Sequence, residues 1–198
     1  MQHTPMIFLT LVVILFYLTA CSADIDDYRA EEPPLVLEEY FDGDLIAYGI
    51  LQDYSGKLTR RFCVELNGQW KQEEGNLVGI LDEDFFFDDG EKQKRIWRLV
   101  RHQNGESVHY TGTAGDVIGE ASGRTVGNAF HWKYVLRVPV RDEDGSVTEY
   151  DLNVDDWMYL FDEEKLFNRS ELIKFGITVG EVTLYFEKGD RLTCDANA

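Results

Sequence analysis

Residues 128–138 place Phe130, Trp132, Tyr134, Leu136 and Val138 at every second position, with His131, Lys133 and Arg137 between them. Successive side chains of a strand point to opposite faces, so such a run has one apolar face and one wet face. The pattern recurs in residues 57–66 (Leu58, Phe62, Val64, Leu66), 150–160 (Tyr150, Leu152, Val154, Met158, Leu160) and 180–187 (Val182, Leu184, Phe186). Turn pairs that suit positive φ angles fall between the runs: Asn67-Gly68, Asp89-Gly90, Asn104-Gly105 and Asp144-Gly145. A helical period shows only weakly, over residues 35–41. Roughly nine or ten strands follow on this reading. Hairpin after hairpin with no crossover helix predicts an all-β antiparallel up-and-down barrel of about 8–10 strands, because closure removes exposed edges. A two-sheet sandwich is the alternative.

The N-terminus carries a second, independent signal. Residues 6–20 are apolar and uncharged and end in Leu18-Thr19-Ala20-Cys21. That run is short of the ~20 residues a membrane-spanning helix needs, and it reads as a signal segment closed by a lipobox. The expected layout is a lipoprotein signal peptide over 1–20, a lipidated N-terminus on Cys21 with a flexible acidic tether over 21–34, a barrel over 35–190 and a tail over 191–198. Residues 22–34 are acidic, poor in apolar side chains and end in Pro-Pro. Fully extended they reach at most roughly 40 Å. Acylation of Cys21 would anchor the protein to a membrane. Ser22 after the cysteine favours the outer membrane, with the barrel on its periplasmic face.

Charge excludes one class of partner. There are 37 acidic and 19 basic residues, a formal net charge of −18. No basic stripe interrupts this surface, so nucleic acid is not an expected partner. Beyond Cys21 the cysteines are Cys63 and Cys194. In an oxidising compartment they can form a disulfide; two free thiols are the other outcome, since sequence does not reveal their separation.

Catalytic and metal chemistry find little support. No Gly-x-Ser-x-Gly elbow occurs, and His102, His109 and His131 share no ligand spacing. No cofactor or metal is expected. The acidic stretch Asp82-Glu83-Asp84 reads as a solvated hairpin end. Asp156 differs, because it shares strand parity with Leu152, Val154, Met158 and Leu160, while Arg60 shares it with Leu58, Phe62 and Val64. A carboxylate on an apolar face needs a partner. The expectation is an internal ion pair of Arg60 with Asp156, or of Arg61 with Asp155 if a bulge shifts the register. Such a pair is either a polar knot that fixes register or a clamp for a ligand head group, and the sequence leaves both open. The glycine-rich residues 112–128 suggest unfilled volume inside the barrel, bordered by Asp116 and Asn128.

Several motifs together resemble a known family. They are Arg61-Phe62, Asp89-Gly90, Arg95-x-Trp97, Gly112-x-Ala114-x-Asp116-Val117-x-Gly119, Gly127-Asn128-Ala129, Trp132-x-Tyr134, Asp155-Asp156-Trp157-Met158, Asn168-Arg169 and Lys174-Phe175-Gly176. The chain is similar, over roughly residues 35–188, to an uncharacterised bacterial lipoprotein family, domain of unknown function 3833. The resemblance implies a lipoprotein with a lipocalin-like barrel and carries no established activity or site residues. It also implies a lipid ligand, through frequent gene neighbours that modify fatty acids.

The leading expectation is a non-enzymatic lipoprotein that binds a fatty acid or related amphipathic molecule inside its barrel. Trp97, Phe130, Trp132, Tyr134 and Trp157 would line the cavity, and Arg61, Arg95 or Arg169 would meet an acidic head group. Asp116, Asn128, Asp155 and Asp156 complete the candidate set. The alternative is a packed barrel that docks another envelope protein. A third reading makes Asp155 or Asp156 a general base.

Overall fold

A computed structural model describes residues 22–105, 107–141, 144–189 and 193–194. The expected signal segment and the acylation site at Cys21 lie outside the described residues, as does most of the C-terminal tail.

The strands are β1 (Gly43–Asp53), β2 (Leu58–Glu73), β3 (Asn76–Phe87), β4 (Lys92–Asn104), β5 (Ser107–Thr113), β6 (Val117–Val126), β7 (Ala129–Arg141), β8 (Val147–Leu160), β9 (Lys165–Lys174) and β10 (Ile177–Lys188). Each pairs antiparallel with its chain neighbours, and β1 pairs with β10, so the sheet closes into a barrel. The register puts even-numbered residues of β7, β8 and β9 inside, opposite one another: Trp132 faces Asp156, and Asp156 faces Ser170.

One end of the barrel is plugged. A single helical turn, α1 (Leu37–Tyr40), precedes β1, and Leu35, Leu37, Tyr40 and Phe41 are buried in the core. Polar latches hold it. Glu38 lies 2.8 Å from Arg101 of β4 and accepts a 2.6 Å bond from the Tyr110 hydroxyl of β5. Trp70 donates its indole N–H to the Phe41 carbonyl at 3.1 Å. Above the plug, Leu66, Leu81, Trp97, Leu99, Tyr110, Phe130, Trp132, Leu166 and Phe186 form a continuous packed core.

Two expectations are corrected here. Residues 24–34 are not a free tether. Ile25–Tyr28 form a 3-10 turn capped by Asp24, with Ile25 buried. Asp26 meets Arg124 of β6 at 3.0 Å, and the Tyr28 ring packs on Trp157 and Tyr159 of β8. The acidic composition that suggested disorder is what pairs this segment with the outer wall. At two inward glycines of the glycine-rich stretch no space is left: a Cβ at Gly112 would strike Leu99 and crowd Trp132, and one at Gly123 would strike the His131 carbonyl and the Trp132 ring. Cys63 and Cys194 are joined by a disulfide across a separation of 131 residues, on the outer face of β2.

Candidate functional site

The opposite half of the barrel is built differently. Inward residues there are apolar but only half-buried: Leu51, Phe62, Phe85, Phe87, Leu136, Val138, Leu152, Leu172, Val182 and Leu184. Their partial exposure lies toward the end, called the mouth below, where the β1–β2, β3–β4, β5–β6, β7–β8 and β9–β10 connections fall. Arg60 sits at the rim with its guanidinium 3.7 Å above the Phe87 ring, paired to Asp89 at 2.7 Å and Glu91 at 2.8 Å.

Between mouth and packed core lies a polar layer. Asp156 on β8, 5 % exposed, accepts hydrogen bonds on one oxygen from Asn168 Nδ2 and from Ser170 Oγ, the latter at 2.8 Å. Arg95 on β4 clamps Asp116 with bonds of 2.7 and 3.0 Å to a single carboxyl oxygen and 3.1 Å to the other. Glu83 on β3 is the direct cross-strand neighbour of Arg95. The guanidinium turns away to Asp116, and Glu83 Oε2 is left buried with no hydrogen-bond partner. Tyr134 of β7 completes the layer, its ring edge-on to Trp97 at 5.4 Å.

Burial sets the electrostatics. Desolvation pushes the Glu83 carboxyl up to about 7, and the nearby Asp116 and Asp156 reinforce the rise against the pull of Arg95. Desolvation likewise pushes Asp156 up to about 6, moderated by the bonds from Asn168 and Ser170. The Tyr134 phenol is raised for the same reason and stays neutral.

Against this geometry the sequence-based candidates separate into groups. Arg95, Asp116, Tyr134 and Asp156 share the polar layer. Trp97, Phe130 and Trp132 are buried beneath it in the packed core. Asn128 lies at the plugged end, where its side chain donates to the Leu160 carbonyl. Arg61, Asp155, Trp157 and Arg169 have outward parity and cannot line the interior. Arg61 pairs with Asp88 at 3.1 Å, and Arg169 bridges Glu171 and Glu181 on the outer wall. Asp155 lies between His131 at 2.8 Å and Lys133 at 3.1 Å. Burial opposes its charge, but those two partners hold its carboxyl below the usual range. The Trp157 ring stacks on His131 at 3.9 Å. Neither expected ion pair forms: Arg60 is at the rim, β2 and β8 are not neighbours, and Asp156 is satisfied by Asn168 and Ser170.

Glu83 is the residue that sequence reasoning missed. With Asp82 and Asp84 it has the look of a solvated hairpin end, yet the triplet lies within β3. Its parity with Gly79, Leu81, Phe85 and Phe87 marks an acid on an apolar face, the same signal that flagged Asp156.

No curated protein matches the chain. Residues 15–188 match the family described as a protein of unknown function (DUF3833), and the chain belongs to that family.

Proposed function

We propose that the protein is a lipid-anchored envelope protein that takes one amphipathic small molecule into the mouth of its barrel, apolar body against the wall and head group on the polar layer. The observation that carries this reading is the contrast in burial along the inner wall, where large apolar side chains toward one end stay partly exposed while those toward the other are buried. Ligand sites combine such walls with a few convergent polar groups. The rim supports uptake from an apolar source, since Tyr54, Leu58, Val140, Val147, Phe175 and Ile177 are exposed around it. With Cys21 acylated, the docked segment 24–34 would hold the plugged end near the outer membrane and leave the mouth free. The test is titration of the full chain with single-chain amphiphiles while following tryptophan emission. Saturable binding that Leu184→Asp abolishes is the expected result; no binding refutes the reading.

A second reading, docking of another envelope protein, is favoured by an aromatic stripe on the outer wall. Tyr48 pairs with Tyr185 in register, the Tyr185 ring lies 5.3 Å from Phe167, and Phe167 lies 6.2 Å from Phe161. Cross-linking from this stripe in cells, with one discrete protein captured and no amphiphile bound in vitro, would select it.

A further inference from the structure

The polar layer has an excess of acids. Glu83, Asp116 and Asp156 converge on it from β3, the β5–β6 connection and β8, and Arg95 is the cation they surround. Arg95 gives its hydrogen bonds to Asp116 and reaches Glu83 through charge alone, and the donors on Asp156 are the neutral groups of Asn168 and Ser170. Glu83 is 9 % exposed, and its Oε2 faces the barrel interior with no donor. Buried polar atoms in native proteins are nearly always paired, so an orphaned carboxyl oxygen in this layer, the floor below the half-buried apolar wall, marks a missing donor. Leaving it unpaired is destabilising, more so when charged.

We infer that this floor recognises a cationic nitrogen, so that the ligand is an alkyl ammonium amphiphile whose N–H groups bond Glu83 while its chain lies along Phe62, Phe85 and Leu184. The inference rests on the mouth being the ligand site. An ammonium supplies the missing donor and offsets the acidic excess in one step. A carboxylate head group does neither: it would have to displace Asp116 from Arg95 and would face Glu83 and Asp156 at close range. The aromatic rings above the floor favour the same sign, because ring faces attract cations. So does the whole-chain charge of −18, which draws cations toward the mouth and repels anions.

The experiment compares three probes with one chain length on the full protein at pH 7.5: n-octylammonium, n-octanol and n-octanoate, each by calorimetry and tryptophan emission. Octylammonium is expected to bind at least about tenfold more tightly than octanol, a difference of about 1.4 kcal/mol, with octanoate the weakest. Glu83→Gln is expected to erase the preference while octanol binding persists. Octanoate binding as tightly as octylammonium overturns the inference, as does a preference that survives in Glu83→Gln. The wild-type ratio decides the matter even if that variant fails to fold. If octanol binds and the amine binds no better, the head-group assignment alone falls. If none of the three binds, the mouth itself is not the site and both readings fall.

Discussion

The two halves of the barrel share strands, handedness and parity, yet they are finished differently. Toward the plugged end, inward side chains are buried and α1 with Leu35 and Phe41 fills the lumen. Toward the mouth the same strands present Leu51, Phe62, Phe87, Leu152 and Val182 half-buried. Strand alternation alone does not decide whether a barrel is solid or hollow. Here one extra element, a seven-residue approach segment ending in a single helical turn, supplies the difference, and it can reach only one end.

The largest expected effect tests that contrast directly. Phe130 is 3 % exposed between Tyr110 and Trp132, so Phe130→Ala opens a cavity that the plug cannot collapse into. A loss of about 3–5 kcal/mol is expected. Phe62 lies over Gly49 and touches Phe85 and Phe87, but one side of it meets solvent. Phe62→Ala should cost about 1 kcal/mol, since it removes contacts without leaving a closed void. Urea denaturation of both variants settles the comparison, and equal losses would mean that the mouth is packed as tightly as the core.

The next effect lies on the boundary between the halves and depends on pH. Glu83 titrates near its ordinary value of 4.5 in the unfolded chain and at about 7 in the fold, where it faces Arg95, Asp116, Asp156 and Tyr134. Between those values the folded state keeps a proton that the unfolded state has released. Stability therefore falls as pH rises from about 4.5 to 7 and stays lower above that. At about 1.4 kcal/mol per unit the shift amounts to about 3 kcal/mol. Asp156 adds a slope of the same sign between 3.8 and about 6. Glu83→Gln removes its share, so the variant should melt several degrees above wild type at pH 8 and match it near pH 4. Scanning fluorimetry at both values checks this; a variant less stable than wild type at pH 8 would show that ionised Glu83 has a partner.

How far the sequence could be read depends on the same boundary. Parity along single strands was legible: Phe130, Trp132 and Tyr134 point inward, and so does Asp156, because a strand's period is fixed. The same parity excludes Trp157 and Arg169 from the interior, where residue type alone had suggested a lining aromatic and a head-group arginine. Glu83 was hidden by its neighbours, since Asp82 and Asp84 on the outer face make the triplet look like a solvated turn. Partners across the lumen were not legible at all. Which inward residues share a level depends on strand tilt and shear, and these bring Glu83 and Arg95 to the level of Asp156 while lifting Arg60 to the rim. Nor does composition predict that an acidic leader will dock when one arginine, Arg124, waits on the wall.

A smaller effect concerns that leader. Ile25→Asp places a charge at a site that is 5 % exposed, and docking should weaken by about 2 kcal/mol. The barrel's own melting should barely move, because the lost contacts lie outside the closed sheet. Limited proteolysis should nevertheless cut within residues 22–34 in the variant and spare wild type. Equal resistance in both would mean that Arg124, Trp157 and Tyr159 suffice to hold the segment.

The smallest effect compares two turns with the same backbone, one at each end. Glu74-Gly75 joins β2 to β3 beside the plug, with φ of 49° and 88°. Phe175-Gly176 joins β9 to β10 at the mouth, with φ of 51° and 78°. Two consecutive positive φ values make the tight hairpin turn that asparagine fills best in the first position and a large aromatic ring fills poorly. At the plugged end a polar residue occupies that position; at the mouth a phenylalanine that is 91 % exposed does. The ring is 5.2 Å from the Lys174 ammonium that lies over it, a surface contact, and exposure brings it no burial in return. Phe175→Asn should therefore stabilise the protein by about 0.5 kcal/mol while slowing capture of octylammonium from a lipid vesicle, measured by stopped-flow tryptophan emission. Unchanged capture would mean that the apolar rim plays no part in uptake, and a loss of stability would mean that the contact of Lys174 with the ring outweighs the strain of the turn.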